Sequence, residues 1–311
     1  MKTVTGFAPA SVGNVGVGFD ILGHAIAGIG DEVTLTASNT DGILIGSIEG
    51  VTKTLPFDPQ LNTASRPLLA MRRDLGISQG VRVDIQKGVS LGSGMGGSAA
   101  SAVAAVVAAD QLWQLDLEWT QLLSYALIGE EVASGTAHPD NVAASLIGGL
   151  VLCEQTEDRV HPTRLPVPKD LRCVLIHPEI TIATEEARAL LETHVSLQGH
   201  VQQSQCLAGF IAGCCRGDTE QIGRCLKDLI IEPQRSALIP GFDALQKAAL
   251  ENGALGMSIS GSGPSVFAWV RHTAADLVAA EMSVVLDSLQ IPYQCWITEI
   301  DVPGARIIRG D

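Results

Sequence analysis

Four glycines fall within six residues in the segment Leu91-Gly-Ser-Gly-Met-Gly-Gly-Ser98. A glycine has no Cβ atom, so the backbone of such a segment can approach a ligand closely. An apolar helix is expected to follow, and the unpaired amides and positive dipole of its first turn favour an anion. The segment therefore predicts a phosphate site, with a glycine turn needed only for packing as the alternative. The residues assigned to the site are Gly92, Ser93, Gly94, Met95, Gly96, Gly97 and Ser98.

The sequence around these glycines distinguishes between kinds of phosphate site. A P-loop is excluded because no Lys-Ser or Lys-Thr pair follows the glycines. The spacing Gly92-x-Gly94-x-x-Gly97 does match the dinucleotide-binding fingerprint. However, residues 81–86 alternate between apolar and polar, whereas a central parallel strand is apolar on both faces. The next element is also another helix, not a strand ending in an acidic residue, so a dinucleotide-dependent oxidoreductase is the weaker alternative.

Hydrophobic periodicity predicts the elements that position the glycine segment. Residues 32–37 alternate as a half-buried strand, and residues 43–47 are expected to pair with it. A strand at 81–86 leads into the glycines. The remaining elements of this half are helices at 62–75, capped by Asn62, and at 98–113, 118–134 and 140–147, with a strand at 149–154.

The polar segment 155–170 contains prolines, lacks periodicity and is interpreted as a linker. The elements after it have the order β-α-β-β-α-β with an expanded first helical connection, which is the ferredoxin-like order. We therefore predict an α+β protein with two domains, residues 1–168 and 169–311. The second domain should contain strands at 171–177, 256–260, 265–271 and 291–297, several helices within 184–252, and a helix at 272–289.

Composition excludes several classes of function. A formal charge of −14 repels nucleic acid and anionic membranes, and no run of Lys or Arg offsets it. The seven cysteines show no Cys-x-x-Cys spacing, which favours reduced thiols over a zinc site or disulfides. Prolines and glycines interrupt any signal-peptide core near the N-terminus, and the longest apolar run is too short to span a bilayer. We expect a cytoplasmic protein that binds neither nucleic acid nor membrane.

Three motifs in order resemble those of the GHMP kinases, the superfamily of galactokinase, homoserine kinase, mevalonate kinase and phosphomevalonate kinase. The glycine segment is similar to the second motif. Residues 8–23 resemble the first motif and read Ala8-Pro-Ala-Ser-Val-Gly-Asn14-Val-Gly-Val-Gly-Phe-Asp20-Ile-Leu-Gly23. Residues 256–265 resemble the third motif and read Gly256-Met-Ser-Ile-Ser-Gly261-Ser-Gly263-Pro-Ser265. The resemblance implies ATP as phosphoryl donor and a two-domain GHMP kinase fold. The expected domains are an N-terminal α+β domain like domain 2 of ribosomal protein S5 and a C-terminal ferredoxin-like domain.

Three further stretches are similar to the homoserine kinase family in particular. They are Gly129-Glu130 with Ser134-Gly-Thr-Ala-His138-Pro-Asp-Asn141, then Thr184-Glu-Glu-Ala-Arg188, and then Asp228-Leu-Ile-Ile-Glu-Pro-Gln-Arg235. This resemblance implies phosphorylation of the side-chain hydroxyl of L-homoserine by a homodimer. A kinase for another small alcohol, such as shikimate or an isoprenoid precursor, and a non-catalytic binding paralogue remain alternatives.

An α-amino-acid substrate needs a carboxylate for its ammonium group, guanidinium groups for its carboxylate and a polar group near its hydroxyl. Arg188 and Arg235 suit the carboxylate, and Asp20 suits the ammonium group. Asn14 and His138 suit the hydroxyl or the carboxylate end. The resemblance assigns substrate binding to the same positions. The alternative for each arginine is a solvated surface charge, and for His138 a structural hydrogen bond or helix cap.

Phosphoryl transfer depends mainly on positioning and charge stabilisation. Ser98 and Glu130 are predicted to bind Mg²⁺, because hydroxyl and carboxylate oxygens are the ligands that this ion prefers. Asn62 and Lys87 are weaker candidates for the nucleoside, with a strand-end surface charge as the alternative for Lys87. Asn141, the third predicted catalytic residue, stands where related kinases of other specificity place an Asp. Because an amide is not a useful proton acceptor, we expect transfer without a dedicated general base.

Overall fold

The computed structural model describes residues 2–52, 54–135, 138–157 and 159–310, and it contains two β-sheets with helices packed on them. The strands are β1 (Thr3–Gly13), β2 (Leu22–Ser38), β3 (Ile43–Gly50), β4 (Gly80–Lys87), β5 (Leu150–Gln155), β6 (Val160–Leu165), β7 (Leu171–Pro178), β8 (Ala254–Ile259), β9 (Val266–Arg271), β10 (Tyr293–Glu299) and β11 (Arg306–Gly310). The helices are α1 (Ser65–Leu75), α2 (Gly97–Trp113), α3 (Trp119–Ser134), α4 (Pro139–Ile147), α5 (Thr184–Ala189), α6 (Leu197–Arg216), α7 (Thr219–Cys225), α8 (Glu232–Arg235), α9 (Phe242–Glu251) and α10 (Ala275–Ser288).

The N-terminal sheet has the strand order β11-β1-β2-β4-β3, and β5 and β6 extend it from β2. The strand expected at 32–37 is the second half of the long strand β2. The prediction that residues 43–47 pair with this strand is wrong, because β4 lies between β2 and β3 and runs parallel to β3. Helix α1 connects β3 to β4 as a crossover, and such a connection makes consecutive strands parallel neighbours.

The C-terminal sheet is antiparallel and has the strand order β10-β7-β9-β8. Helices α5 to α9 occupy the first connection and α10 occupies the second. Helices α9 and α10 pack on one face of this sheet through Leu245, Val278 and Met282. The predicted α+β class and the ferredoxin-like order of the C-terminal elements are therefore confirmed.

Two segments do not fit the division into residues 1–168 and 169–311 that the sequence predicts. Segment 155–170, interpreted as a linker, contains β6, which forms a hairpin with β5. Strand β6 lies at a sheet edge and is mostly exposed, so it tolerates Pro162 and lacks the usual alternation. At the C-terminus, β11 returns to pair with β1. Residues 306–310 thus belong to the N-terminal sheet, although 169–311 was predicted to form one domain.

A continuous apolar core joins the two sheets. It contains Leu22 and Ile26 from β2 and Phe267 and Trp269 from β9. His24 of β2 is fully buried beside them, and its Nε2 accepts a hydrogen bond from the Trp269 indole at 3.3 Å. Burial lowers the pKa of His24 to about 4, so the imidazole is neutral near pH 7. This shared core fixes the two domains relative to each other and therefore fixes the cleft between them.

Helix α2, which follows the glycine segment, is buried nearly all round. Small residues let it lie directly against β1. A Cβ atom at Gly6 would lie 2.4 Å from the Ala104 carbonyl oxygen and 3.2 Å from the Ala108 Cβ. This close contact holds the middle of α2 against the sheet. Within the described ranges, none of the helices has the length and apolar character that crossing a membrane requires.

The substitution Gly6→Ala is expected to lower the free energy of unfolding by about 2 kcal/mol, because the added methyl group meets the main chain of α2 inside a packed core. Denaturant-induced unfolding measures this change. Gly199→Ala is the control, since a Cβ atom at this position of α6 would meet Ser196 Oγ at 3.2 Å and no backbone atom is that close. Alanine should leave that helix equally or more stable. Wild-type stability of the Gly6→Ala variant would contradict the packing described here.

Candidate active site

A cavity of about 840 Å³ is lined by residues of both domains. The glycine segment, the first residues of α4, the segment 181–185 and the turn at Gly261 and Ser262 contribute to its wall. These segments come from the separate motifs identified in the sequence and are far apart in the chain. The fold therefore brings the predicted phosphate and substrate residues to one place.

Two carbonyl oxygens of the glycine segment are held by the C-terminal domain. The Ser265 N–H donates a hydrogen bond to the Ser93 carbonyl at 3.1 Å. The Ser260 hydroxyl donates to the Gly94 carbonyl at 2.7 Å. Ser260 and Ser265 are both fully buried and lie behind the segment, outside the cavity wall. The third motif thus acts as a support for the second.

Two further carbonyl oxygens are held by the N-terminal domain. The Ser11 N–H donates to the Met95 carbonyl at 3.0 Å. The Lys87 ammonium donates to the Gly97 carbonyl at 2.8 Å. Both donors are buried and, like the serines of the third motif, are not part of the cavity wall. The glycine segment is therefore fixed from both domains.

These contacts determine the direction of the amides. In a trans peptide the carbonyl and the N–H point in opposite directions, so holding the carbonyls behind the segment turns the N–H groups of Gly94, Gly96 and Ser98 toward the cavity. Glycine is required here, since a Cβ atom at Gly94 would lie 2.4 Å from the Ser260 carbonyl oxygen and Gly96 has a φ of 66°. The first turn of α2 adds its dipole at the same point. The arrangement can bind a phosphate group.

Two guanidinium groups lie at the other end of the cavity. The guanidinium carbons of Arg188 and Arg235 each lie 5.3 Å from the centroid of the Phe19 ring. Arg188 Nη2 donates to both carboxylate oxygens of Asp20, at 2.8 and 2.9 Å, and to His138 Nε2 at 2.8 Å. The wall therefore carries the cations and the carboxylate that an amino-acid zwitterion requires.

Arg235 is a buried cation. It is 3% exposed, and its Nε donates to the Ala187 carbonyl at 2.9 Å. Among the ion pairs of the described residues, Asp20 pairs with Arg188, and none includes Arg235. Burial, followed by the positive charge of Arg188, lowers the pKa of Arg235. Because a buried cation is stabilised by a bound anion, Arg235 marks an anion subsite.

Glu130 and Ser98 are the candidate metal ligands. Both line the cavity, Ser98 from the first turn of α2 and Glu130 from α3. The Glu130 carboxylate, 3.8 Å from His138 Nδ1, raises the pKa of His138. Because His138 Nε2 accepts from Arg188, the imidazole proton lies on Nδ1 and faces Glu130. A carboxylate and a hydroxyl next to a phosphate site form a donor set suited to Mg²⁺.

Asp140 and Asn141 begin α4 beside the glycine segment. Asn141 Oδ1 accepts from the Ser11 hydroxyl at 2.9 Å, and Asp140 Oδ2 accepts from the Asn14 N–H at 2.9 Å. Burial raises the pKa of Asp140 to about 6, against the lowering effect of the Asn14 N–H. The amide of Asn141 is thus held in one orientation, and Asp140 is the buried carboxylate next to it.

Asn14 connects the first and third motifs. Its Nδ2 donates to the Gly261 carbonyl at 2.8 Å, and its Oδ1 accepts from the Asp20 N–H at 3.0 Å. Its backbone has a φ of 68°, a conformation that asparagine adopts more readily than most residues. Asn14 therefore holds the loop that carries Asp20 against the C-terminal domain.

Most residues predicted from the sequence line this cavity. They are Asn14, Asp20, Gly92, Ser93, Gly94, Gly96, Gly97, Ser98, Glu130, His138, Asn141, Arg188 and Arg235. Thr136 and Ala137, within one of the matched stretches, lie outside the described residues. The individual roles assigned to the lining residues stay predictions.

Asn62, Lys87 and Met95 do not line the cavity. Asn62 is 1% exposed, and its side chain accepts from the Ala64 N–H and donates to the Pro56 carbonyl, so it holds the loop before α1 instead of a nucleoside. It precedes the start of α1 by three residues. The Met95 side chain is buried in the core between the sheets. These three residues therefore have structural contacts outside the cavity wall, unlike the other residues assigned to the site.

Lys87 is the largest correction. The sequence suggested a nucleoside contact or a surface charge, but the side chain is 2% exposed and forms an ion pair with the buried Asp31. Residues that sequence reasoning missed include Ser11, Phe19 and Ser260. They lie within the matched motifs, but a serine or phenylalanine carries no charge that marks it as part of a site.

Comparisons with known proteins agree with this geometry. Residues 62–149 match the family model described as GHMP kinases N terminal domain, and residues 210–286 match GHMP kinases C terminal. The chain is 45% identical to the homoserine kinase of Xylella fastidiosa over 97% of this chain and 93% of that protein. It is 42% identical to that of Xanthomonas campestris pv. campestris over 99% of this chain and 95% of that protein. A crystal structure of homoserine kinase from Cytophaga hutchinsonii superimposes with a TM-score of 0.95 at 42% identity, covering 98% of this chain and 97% of the other.

The raised pKa of Asp140 predicts a pH-dependent stability. The pKa is 3.8 for an ordinary Asp and about 6 in the folded protein, so between these values the folded state binds more protons and stability falls as the pH rises. Asp140→Asn removes this titration while keeping an acceptor for the Asn14 N–H. The variant should gain about 1 to 3 kcal/mol in free energy of unfolding at pH 8 and little near pH 4. Urea titrations at both pH values measure the difference, and an equal gain at both would contradict the prediction.

Proposed function

The chain belongs to the homoserine kinase family of the GHMP kinases, and we propose that it transfers the γ-phosphoryl group of ATP to the side-chain hydroxyl of L-homoserine. The product is O-phospho-L-homoserine, which serves threonine biosynthesis. The reaction needs a site for a triphosphate and a site for a zwitterion within reach of each other. The glycine segment and the charged residues Asp20, Arg188 and Arg235 lie on the wall of one cavity.

The observation that carries this proposal is the buried cation Arg235, in the same cavity as the glycine segment. A neutral alcohol or sugar would leave this charge without a counter-ion in a largely dehydrated position. The carboxylate of an α-amino acid would supply the counter-ion and could contact Arg188 as well. The pair of arginines therefore favours a substrate with a carboxylate over a neutral sugar such as galactose. Asp20, whose carboxylate can pair with an ammonium group, favours an amino acid over other carboxylates such as mevalonate and shikimate.

Asp20 is proposed to bind the substrate ammonium group. Its carboxylate is paired with Arg188 at 2.8 Å. An entering zwitterion replaces one ion pair by two, with its ammonium on Asp20 and its carboxylate near Arg188 and Arg235. Each charged group of the substrate then has a partner of opposite charge, and the one carboxylate is shared between the two guanidinium groups.

The glycine segment is proposed to bind the β- and γ-phosphates of ATP. Its inward amides and the start of α2 stabilise the negative charge of the transferred group without having to reorient during the reaction. The substrate hydroxyl oxygen forms a bond to the γ-phosphorus while the bond to the oxygen of ADP breaks. His138 and Asn14 lie on the cavity wall where they can orient the hydroxyl or the carboxylate of homoserine.

Mg²⁺ is proposed to bind to Glu130 and Ser98, with water and phosphate oxygens completing its coordination. When bound, the ion neutralises charge on the phosphates during transfer. Both side chains line the cavity, and Ser98 also belongs to the helix turn that faces the phosphates. The homodimer expected from the resemblance and the cytoplasmic location expected from the composition stay predictions.

We propose that the transfer proceeds without a dedicated general base. Asn141 cannot accept the proton, and its amide is fixed by Ser11 and Asp140. The proton of the hydroxyl passes to the phosphate or to water. Asp140 is the nearby carboxylate that could act as a general base, but its Oδ2 already accepts a hydrogen bond from the Asn14 N–H.

An ADP-release assay run in parallel with L-homoserine, shikimate, mevalonate and galactose tests the substrate assignment. L-Homoserine is expected to turn over, and the three alcohols without an amino-acid group are expected not to. Turnover of one of these alcohols in the absence of turnover with homoserine would contradict the proposal.

The same assay on Arg235→Met separates the two ends of the cavity. Loss of a charge-assisted contact should lower kcat/KM for homoserine by about 10- to 100-fold while KM for ATP stays near that of wild type. Arg164→Met is the matched control, because Arg164 pairs with Asp301 on the exposed surface. An Arg235→Met variant with unchanged kcat/KM for homoserine would remove the carboxylate assignment.

The absence of a base is tested by the turnover number of Asp140→Asn at saturating ATP and homoserine. We expect kcat to fall by less than about 10³-fold, because positioning and not proton abstraction depends on this residue. A larger loss, with unchanged affinity for both substrates, would identify Asp140 as a general base.

A further inference from the structure

A buried ionic cluster lies directly behind the glycine segment. The Lys87 ammonium donates to Asp31 Oδ2, to the Gly97 carbonyl at 2.8 Å and to the Ser101 hydroxyl at 3.0 Å. The side chains of Lys87 and Asp31 are 1% and 0% exposed, and Ser101 is fully buried. Three hydrogen bonds are the full donor capacity of an ammonium group, so the lysine is completely engaged.

Asp31 collects the remaining contacts of the cluster. Its Oδ1 accepts from the N–H groups of Gly88 and Val89, at 2.9 and 3.1 Å, and its Oδ2 accepts from the Ser101 hydroxyl at 2.6 Å. The cluster thus ties β2, the end of β4 and the first turns of α2 together. Of these elements, β4 leads into the glycine segment and α2 follows it.

A charged pair in this position needs a reason beyond stability. Ala102 and Ala105 and their apolar neighbours on α2 form a dense core, and replacing a buried ion pair by apolar residues often leaves stability unchanged or higher. The acceptor of one of its hydrogen bonds explains the pair best. Lys87 donates to the Gly97 carbonyl, and the N–H of the same peptide belongs to Ser98.

We propose that Asp31, Lys87 and Ser101 are positioning residues for the nucleotide phosphates, and that they act by holding the Gly97–Ser98 peptide with its N–H toward the cavity. This inference rests on the proposed function, since it concerns the same phosphate site. None of the three side chains lines the cavity, so they act on the ligand through the backbone of the glycine segment. The charge of Lys87 also polarises the peptide that it contacts, which makes the Ser98 N–H a stronger donor.

Two substitutions of different severity test the cluster. Ser101→Ala removes one hydroxyl and should fold, and Lys87→Met removes the contact to the Gly97 carbonyl. Dissociation constants for a non-hydrolysable ATP analogue with Mg²⁺, and separately for L-homoserine, are measured by calorimetry on the full chain. The nucleotide constant should rise about 5-fold in Ser101→Ala and about 30-fold in Lys87→Met, while the homoserine constant stays within about 2-fold.

A double variant and a control separate positioning from stability. Asp31→Asn combined with Lys87→Met removes both charges, so its melting temperature should recover relative to Lys87→Met alone, but its nucleotide affinity should not. Thr298→Val is the control, because Thr298 is a buried hydroxyl that accepts from the Ala27 N–H at 2.9 Å away from the cavity wall. It should lower stability without changing nucleotide affinity.

The outcomes distinguish the inference from the function on which it rests. Wild-type nucleotide affinity in both Ser101→Ala and Lys87→Met would overturn the positioning role alone. Recovery of nucleotide affinity together with melting temperature in the double variant would also overturn it, since stability would then be the whole effect. Failure of the wild-type protein to bind the ATP analogue would overturn the proposed function and this inference with it.

Discussion

The orientation of the peptides in the glycine segment is the constraint on which the rest of the structure depends. Amides can bind a phosphate only if their carbonyls are held on the opposite side, and here donors from both domains hold them. Ser260 and Ser265 contribute from the C-terminal domain, and Ser11 and Lys87 from the N-terminal domain. Neither domain alone would form the site. The apolar core between the sheets, with His24 and Trp269 at its centre, is therefore part of the functional architecture.

The remaining features of the cavity follow the same principle, in which polar groups are fixed before a ligand arrives. Arg235 is buried and forms no ion pair with any other described residue, Asp140 is buried with a raised pKa, and Arg188 is paired with Asp20. Arg235 and Asp140 lower the stability of the folded protein, and Arg188 and Asp20 occupy each other. A substrate carboxylate bound as proposed would stabilise the charge of Arg235. Binding free energy is thereby directed to the reacting groups, which is how positioning accelerates phosphoryl transfer.

The sequence predicted which residues line the cavity better than it predicted the topology around them. Glycine spacing and the placement of Asp20, Arg188 and Arg235 indicate their chemistry directly, because few packing needs require those residue types there. Strand pairing depends on contacts between distant residues, so the insertion of β4 between β2 and β3 and the return of β11 to β1 could not be derived from local patterns. At Lys87 the local sequence predicted a ligand contact, but the side chain does not line the cavity. A lysine at the end of a strand next to a phosphate segment suggests a ligand contact, and only the buried Asp31, distant in sequence, reveals its structural partner.

The most direct test is a crystal structure with a non-hydrolysable ATP analogue, Mg²⁺ and L-homoserine bound together. We predict phosphate oxygens within hydrogen-bond distance of the amides of Gly94, Gly96 and Ser98, with the homoserine carboxylate at the guanidinium groups of Arg188 and Arg235. Density for the triphosphate away from the glycine segment, or for the amino acid away from both arginines, would contradict it.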